Sequence, residues 1–78
     1  MELVMQYRGG VPQLSADTGL SMPTLYAFAA MRHKKPPVRV IRRVAEAMAK
    51  VDGGDVEDHR ARILDLWWTE WDQRATKE

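Results

Sequence analysis

The chain has 78 residues, so its length allows one domain with one modest hydrophobic core. It has no cysteine, which excludes disulfides and thiolate metal sites. Its two histidines, His33 and His59, are too far apart in sequence to predict a metal site. No apolar run is long enough to cross a bilayer. We therefore expect a cytoplasmic protein that has no cofactor and does not associate with membranes.

The formal net charge of +1 conceals a division between two parts of the chain. Residues 1–50 carry eight Lys/Arg against three Asp/Glu, a formal charge of +5, whereas residues 51–78 carry four against eight, a formal charge of −4. Such an asymmetry favours a polyanionic partner for the basic part. A solvated basic surface explains the charge alone equally well.

The spacing of apolar residues predicts an all-α fold, a compact domain of four to five helices. Glycines and prolines mark the breaks, and the helices are expected at about 2–7, 12–18, 22–31, 38–50 and from 56 onward. Gly19 suits a left-handed turn, and Ser21 and Asp55 are suitable N-caps for the third and fifth helices. Residues 1–51 are interpreted as a helix-turn-helix core and residues 52–78 as a C-terminal Trp-rich helix of the same domain.

The segment from Val11 to Met31 has the pattern of a helix-turn-helix. Two helices that meet at a sharp angle need apolar residues on their facing sides, a small residue where the backbones approach and a glycine where the chain reverses. The residues that meet these needs are Leu14, Ser15, Gly19, Leu20, Leu25 and Phe28.

This segment resembles the helix-turn-helix family of phage Cro proteins and repressors, known as the Xre type, and more weakly the LacI-type headpiece. The matching residues are Leu14, Ser15, Gly19-Leu20-Ser21, Thr24-Leu25, Phe28, the loop Lys34-Lys35-Pro36, and Ile41, Val44, Ala45 and Met48. The resemblance covers roughly residues 3–50. It implies a lambda-repressor-like fold whose third helix enters the major groove of double-stranded operator DNA.

The resemblance also implies which residues would contact DNA. The positions at base edges are Ser21, Met22, Pro23, Thr24, Tyr26 and Ala27. The candidates for phosphate contacts are Gln13, Arg32, Lys34, Lys35 and Arg39. These base-edge residues are unusual for a DNA-reading helix. Arg, Lys, Asn and Gln commonly bond to base edges, and none of them occurs from Ser21 to Met31. Either DNA shape or dimer spacing supplies part of the specificity, or the domain does not read DNA tightly alone.

Three tryptophans, Trp67, Trp68 and Trp71, fall within the last predicted helix. One interpretation is that they pack on the small core, and the other is that they form a dimer or partner interface. Because operators are often two-fold symmetric, a homodimer is a natural expectation. The nearby Asp65, Glu70 and Asp72 argue against contact between this helix and DNA.

The expected function is that of a sequence-specific, Cro/repressor-like transcription regulator. Two alternatives stay open: a protein-interaction module, such as an antirepressor or antitoxin-like adaptor that uses the Trp-rich helix, and an excisionase-like or terminase-like DNA-binding accessory protein. An enzyme is not expected, and neither is a small-molecule substrate. The sequence has no Ser-His pair near an acid within a plausible pocket and no glycine-rich phosphate loop.

Overall fold

The computed structural model describes residues 1–76, and within them the chain forms five α-helices and no strand. The helices are α1 Glu2–Met5, α2 Gly10–Thr18, α3 Met22–Ala29, α4 Val38–Asp52 and α5 Val56–Thr76. The predicted all-α fold is confirmed. Residues 77 and 78, at the end of the predicted Trp-rich segment, lie outside the described residues. No helix in the described range is long and apolar enough to span a membrane.

The break between α1 and α2 has the predicted length of four residues but lies two residues earlier than predicted. α1 ends at Met5, and α2 begins at Gly10 rather than at Pro12. Gly9 is the N-cap of α2 and has a φ of 91°, in the left-handed region. A Cβ at this position would also lie 2.7 Å from the Cβ of Gln13, which is too close. Glycine is therefore required at Gly9 by backbone conformation and by space.

The third helix ends at Ala29, two residues earlier than predicted. The amide of Arg32 donates to the carbonyl of Ala27 at 3.0 Å, and the amide of Met31 donates to that of Phe28 at 3.1 Å. This pair of bonds is a Schellman motif, in which the left-handed position is usually glycine. Here that position is Met31, with a φ of 58° and a buried side chain. Burial of the methionine offsets the backbone cost of about 1 kcal/mol.

One hydrophobic core joins all five helices. α4 packs against both α2 and α5, while α1 covers α2 and α3. Each helix contributes at least one fully buried side chain, among them Val4, Leu14, Phe28, Ile41 and Trp67. α4 buries one side against this core, and its buried residues include Val40, Ile41, Val44, Ala45 and Met48.

The turn between α4 and α5 is held by side chains at the start of α5. Asp55 Oδ1 accepts a hydrogen bond from the amide of Glu57 at 2.8 Å, as an N-cap does, and this confirms the predicted cap. His59 Nε2 lies 2.8 Å from the carbonyl oxygen of Gly53, and His59 Nδ1 lies 3.1 Å from an Arg62 nitrogen. These contacts fix the direction in which α5 returns along α4.

The three tryptophans have different environments. Trp67 is fully buried, its ring stacks on that of Trp71 with centroids 5.3 Å apart, and the Trp68 ring meets it edge-on at 5.1 Å. Trp67 therefore belongs to the core, and its prediction as an interface residue is wrong, because a side chain without accessible surface cannot meet a partner. Trp68 is 45% exposed and Trp71 is half-buried, so an interface through these two stays a prediction.

Candidate nucleic-acid interface

The turn between α2 and α3, residues Gly19 to Ser21, is closed by hydroxyl groups on α2. Ser15 Oγ donates to the carbonyl oxygen of Leu20 at 2.5 Å. Thr18 Oγ1 accepts from the amide of Leu20 at 3.2 Å and donates to the carbonyl of Leu14 at 2.7 Å. Gly19 has a φ of 75°, as the reversal requires. The sequence pattern treats Ser15 only as a small residue, whereas its hydroxyl fixes the angle at which α3 leaves α2.

Ser21 caps α3, as predicted. Its Oγ accepts a hydrogen bond from the amide of Thr24 at 3.3 Å, and the same oxygen lies 2.7 Å from Thr24 Oγ1. The two hydroxyls are therefore bonded to each other at the start of the helix that was predicted to read DNA. Their first role is to stabilise the helix, which leaves less hydrogen-bonding capacity for base edges.

The other predicted base-edge residues differ in exposure. Pro23 and Tyr26 are exposed, and Ala27 is half-buried. Met22 is also half-buried, because part of its side chain packs against the core. Leu25, Phe28 and the rest of the opposite side of α3 face the core, as predicted. The accessible part of α3 is consequently apolar except for the Tyr26 hydroxyl and the Ser21–Thr24 pair.

The loop after α3 carries the predicted phosphate-binding cations. Arg32, Lys34, Lys35 and Arg39 are all exposed, and none of them forms an ion pair with another residue in the described range. From residue 18 to residue 45 the chain has six Lys/Arg and no Asp/Glu. This acid-free stretch could have been read from the sequence and is a sharper signal than the charge of the first fifty residues. The four cations are free to bind an external anion.

Gln13 is the predicted phosphate ligand with an acidic neighbour. Its Nε2 donates to Asp17 Oδ1 at 2.9 Å, and Tyr7 Oη donates to Asp17 Oδ2 at 2.6 Å. Burial, together with the hydrogen bond to Asp17 and the charge of that carboxylate, raises the pKa of Tyr7 to about 12. Hydrogen bonds from Tyr7 and Gln13 hold the pKa of Asp17 below its usual value. Gln13 keeps one N–H for a phosphate, but the Asp17 charge opposes an anion there.

The outer surface of α5 differs from the surface that α3 and its loop share. Trp68 and Leu66 are 45% and 38% exposed, and the exposed acids Asp65 and Asp72 lie on the same helix. Carboxylates repel the phosphate backbone. The molecule thus has two different surfaces: α3 with the basic loop that follows it, and the outer side of α5, which carries exposed acids.

Comparisons of the chain with protein-family models, with curated proteins and with solved structures found no match. The function is therefore inferred from the residues themselves, from their exposure and from their charges.

Proposed function

We propose that this chain is a sequence-specific DNA-binding transcription regulator of the Cro/repressor type, which binds operator DNA with α3 in the major groove. The observation that supports this function best is the exposed, capped α3 followed at once by four unpaired cations in an acid-free stretch. Those cations are Arg32, Lys34, Lys35 and Arg39. A surface of this kind attracts phosphates without a demanding geometry.

The dimensions of α3 also support the proposal. The helix has eight residues, and an α-helix with its side chains is about 10–12 Å across, which fits the width of the major groove of B-DNA, about 12 Å. Its N-terminal residues would lie at base edges while the loop that follows its last turn, from Arg32 to Pro37, would reach the backbone at the rim of the groove. The Schellman motif at Met31 directs the chain from the helix into this loop.

The test is a titration of a fluorescently labelled random-sequence duplex at increasing salt concentration, followed by anisotropy. We expect tight binding at low salt and a steep loss of affinity as salt increases, because phosphate contacts release counterions. A Lys34→Ala/Lys35→Ala double variant should bind every sequence more weakly. It should also reduce the slope of log affinity against log salt by about two, since each phosphate contact contributes about 0.9.

The matched control removes two positive charges from α5 instead. The Arg60→Ala/Arg74→Ala variant has the same net charge as the loop variant, and it should bind DNA almost as the wild type does. An equal loss in both variants would show that only net charge matters and that the loop is not the phosphate-binding rim. A wild-type chain that is not retained on any duplex at low salt would refute DNA binding altogether.

A protein-interaction module is the second candidate, and the exposure of Trp68 favours it. A tryptophan that is 45% exposed is a suitable anchor for a partner or for a second copy of the chain. This function predicts no retention on DNA at low salt. It also predicts concentration-dependent sedimentation or partner binding that Trp68→Ala abolishes and that Met5→Ala, at another exposed apolar residue, leaves unchanged.

A further inference from the structure

α3 presents a continuous apolar stripe to solvent on the side opposite the core. Pro23, Tyr26, Ala27 and the C-cap residue Ala30 are spaced at i, i+3, i+4 and i+7, so they follow one another along one face. Pro23 and Tyr26 are exposed, and the two alanines are half-buried. The core residues Leu25 and Phe28 occupy the other face and are fully buried. The stripe is therefore a surface feature, and the core does not require its composition.

The stripe has almost no capacity for hydrogen bonds with bases. The Thr24 hydroxyl beside it is bonded to Ser21 at 2.7 Å. Tyr26 Oη is the remaining polar side-chain group on the stripe, and it makes no hydrogen bond within the described range. Against any base pair such a surface leaves polar groups of the major-groove edge without partners, which is costly once water is excluded. An apolar group on the edge is therefore what this surface can use to prefer one pair over another.

We propose that this stripe selects thymine-rich duplex DNA by packing against the 5-methyl groups of thymine in the major groove. The thymine methyl is the apolar group that the major-groove edges of base pairs display, and small apolar side chains contact it well. Ala27 and Pro23 are of suitable size, and the Tyr26 ring extends the contact while its hydroxyl can bond to a neighbouring acceptor. This inference rests on the proposed DNA-binding function and specifies its target.

The charges around the stripe favour DNA over an apolar protein surface as the occupant. The stripe lies within the acid-free stretch of residues 18–45, and the exposed cations Arg32, Lys34 and Lys35 follow it immediately. An apolar protein partner would have to leave these cations beside its own surface without neutralising them. A nucleic-acid duplex supplies apolar methyl groups and a flanking row of phosphates together.

The test compares two duplexes of equal length, alternating dA-dT and alternating dA-dU, which have the same charge and the same base pairing. Deoxyuridine lacks only the 5-methyl group, so binding to the dU duplex should be about fourfold weaker for each methyl contacted, which corresponds to about 0.8 kcal/mol. A second pair, alternating dG-dC with cytosine or with 5-methylcytosine, restores a methyl in another sequence. We expect the methylated member of each pair to bind more tightly.

Two variants separate the stripe from the phosphate contacts. Tyr26→Gln, which replaces the ring by a polar amide at an exposed position, should bring the affinity ratio of the dT and dU duplexes toward one. Lys34→Ala/Lys35→Ala should weaken binding to both duplexes and leave that ratio unchanged. Circular dichroism of both variants checks that the helices are retained.

The outcomes separate this inference from the function on which it rests. Tighter binding to both methylated duplexes, with a ratio that depends on Tyr26, supports the inference. Equal binding of the dT and dU duplexes by a wild-type chain that does bind DNA overturns the methyl readout and leaves the DNA-binding function in place. Failure to bind any of the four duplexes at low salt overturns both.

Discussion

Ser15 Oγ donates a hydrogen bond to the carbonyl oxygen of Leu20 at 2.5 Å, across the turn that joins α2 to α3. Ser15→Ala would leave that partly buried carbonyl without its partner, so we expect a loss of about 1 kcal/mol in the free energy of unfolding. Urea denaturation measures it. Thr69→Ala is the matched control, because its hydroxyl bonds to the Asp65 carbonyl on an exposed helix surface, and it should cost a few tenths of a kcal/mol or less. Equal losses would mean that the Ser15 bond does not stabilise the turn.

At Met31, a glycine variant should be more stable than an alanine variant, which is the reverse of the usual order in a helix. Both substitutions lose the burial of the methionine side chain and should destabilise the fold. Since φ is 58° at this position, Met31→Gly should nevertheless be more stable than Met31→Ala by about 1 kcal/mol. At Met48, buried in the interior of α4, the same pair should show the opposite order by a similar amount. Thermal unfolding of the four variants tests this, and alanine being the better residue at both positions would contradict it.

Adjacent tryptophans should differ sharply in their importance for folding. Trp67→Ala empties a fully buried site and should cost about 3–5 kcal/mol, enough to unfold a domain of this size. Trp68→Ala removes a 45% exposed ring and one edge-on contact, so it should cost about 1 kcal/mol or less. Circular dichroism and urea denaturation distinguish the two. Similar losses would place both rings in the core.

The bond between Tyr7 and Asp17 should make stability depend on pH at both ends of the range. The pKa of Asp17 is lowered in the fold. Its contribution to the stability of the fold is therefore present above its ordinary pKa of 3.8 and is lost as pH falls through the lower pKa of the folded state. The pKa of Tyr7 is raised to about 12. Its contribution to the stability of the fold is therefore complete below its ordinary pKa of 10.0 and is lost as pH rises through about 12.

The variant Tyr7→Phe tests this dependence, because it removes the bond and keeps the buried ring. The stability difference between wild type and variant should be largest between about pH 4 and pH 10 and should narrow on either side. Urea denaturation across the pH range measures the difference. The difference in tyrosinate absorbance between the two proteins reports the titration of Tyr7 itself. A stability difference that is constant with pH would show that the two groups are not coupled.

Features that depend on a few neighbouring residues could be predicted from the sequence. Gly19 in a left-handed turn, Ser21 as an N-cap and Asp55 as an N-cap all follow from local backbone chemistry, and the structure confirms each. Nothing in the local sequence predicts the left-handed conformation of Met31. A methionine in a left-handed conformation is maintained by its burial, which depends on helices that are distant in sequence.

The distribution of the tryptophans could not be predicted for a similar reason. Helical spacing puts Trp67, Trp68 and Trp71 on one broad face, and the packing of α5 on α4 decides which ring enters the core. For the candidate interface, the exposure of Tyr26 follows from the helical period once Leu25 and Phe28 are assigned to the core. The bond between Ser21 and Thr24 needed side-chain geometry, and it changes what the start of α3 can offer to a ligand.

The side chains of the stripe on α3 lie outside the hydrophobic core. Pro23, Tyr26 and Ala27 take no part in the Ser21–Thr24 cap, and the core is built from the opposite face of the helix. Natural or laboratory evolution can therefore exchange these three side chains with little risk of unfolding the protein. The residues that form the fold and the residues that would contact a ligand are thus largely different residues. Randomising these three positions should yield folded proteins that differ in what they bind.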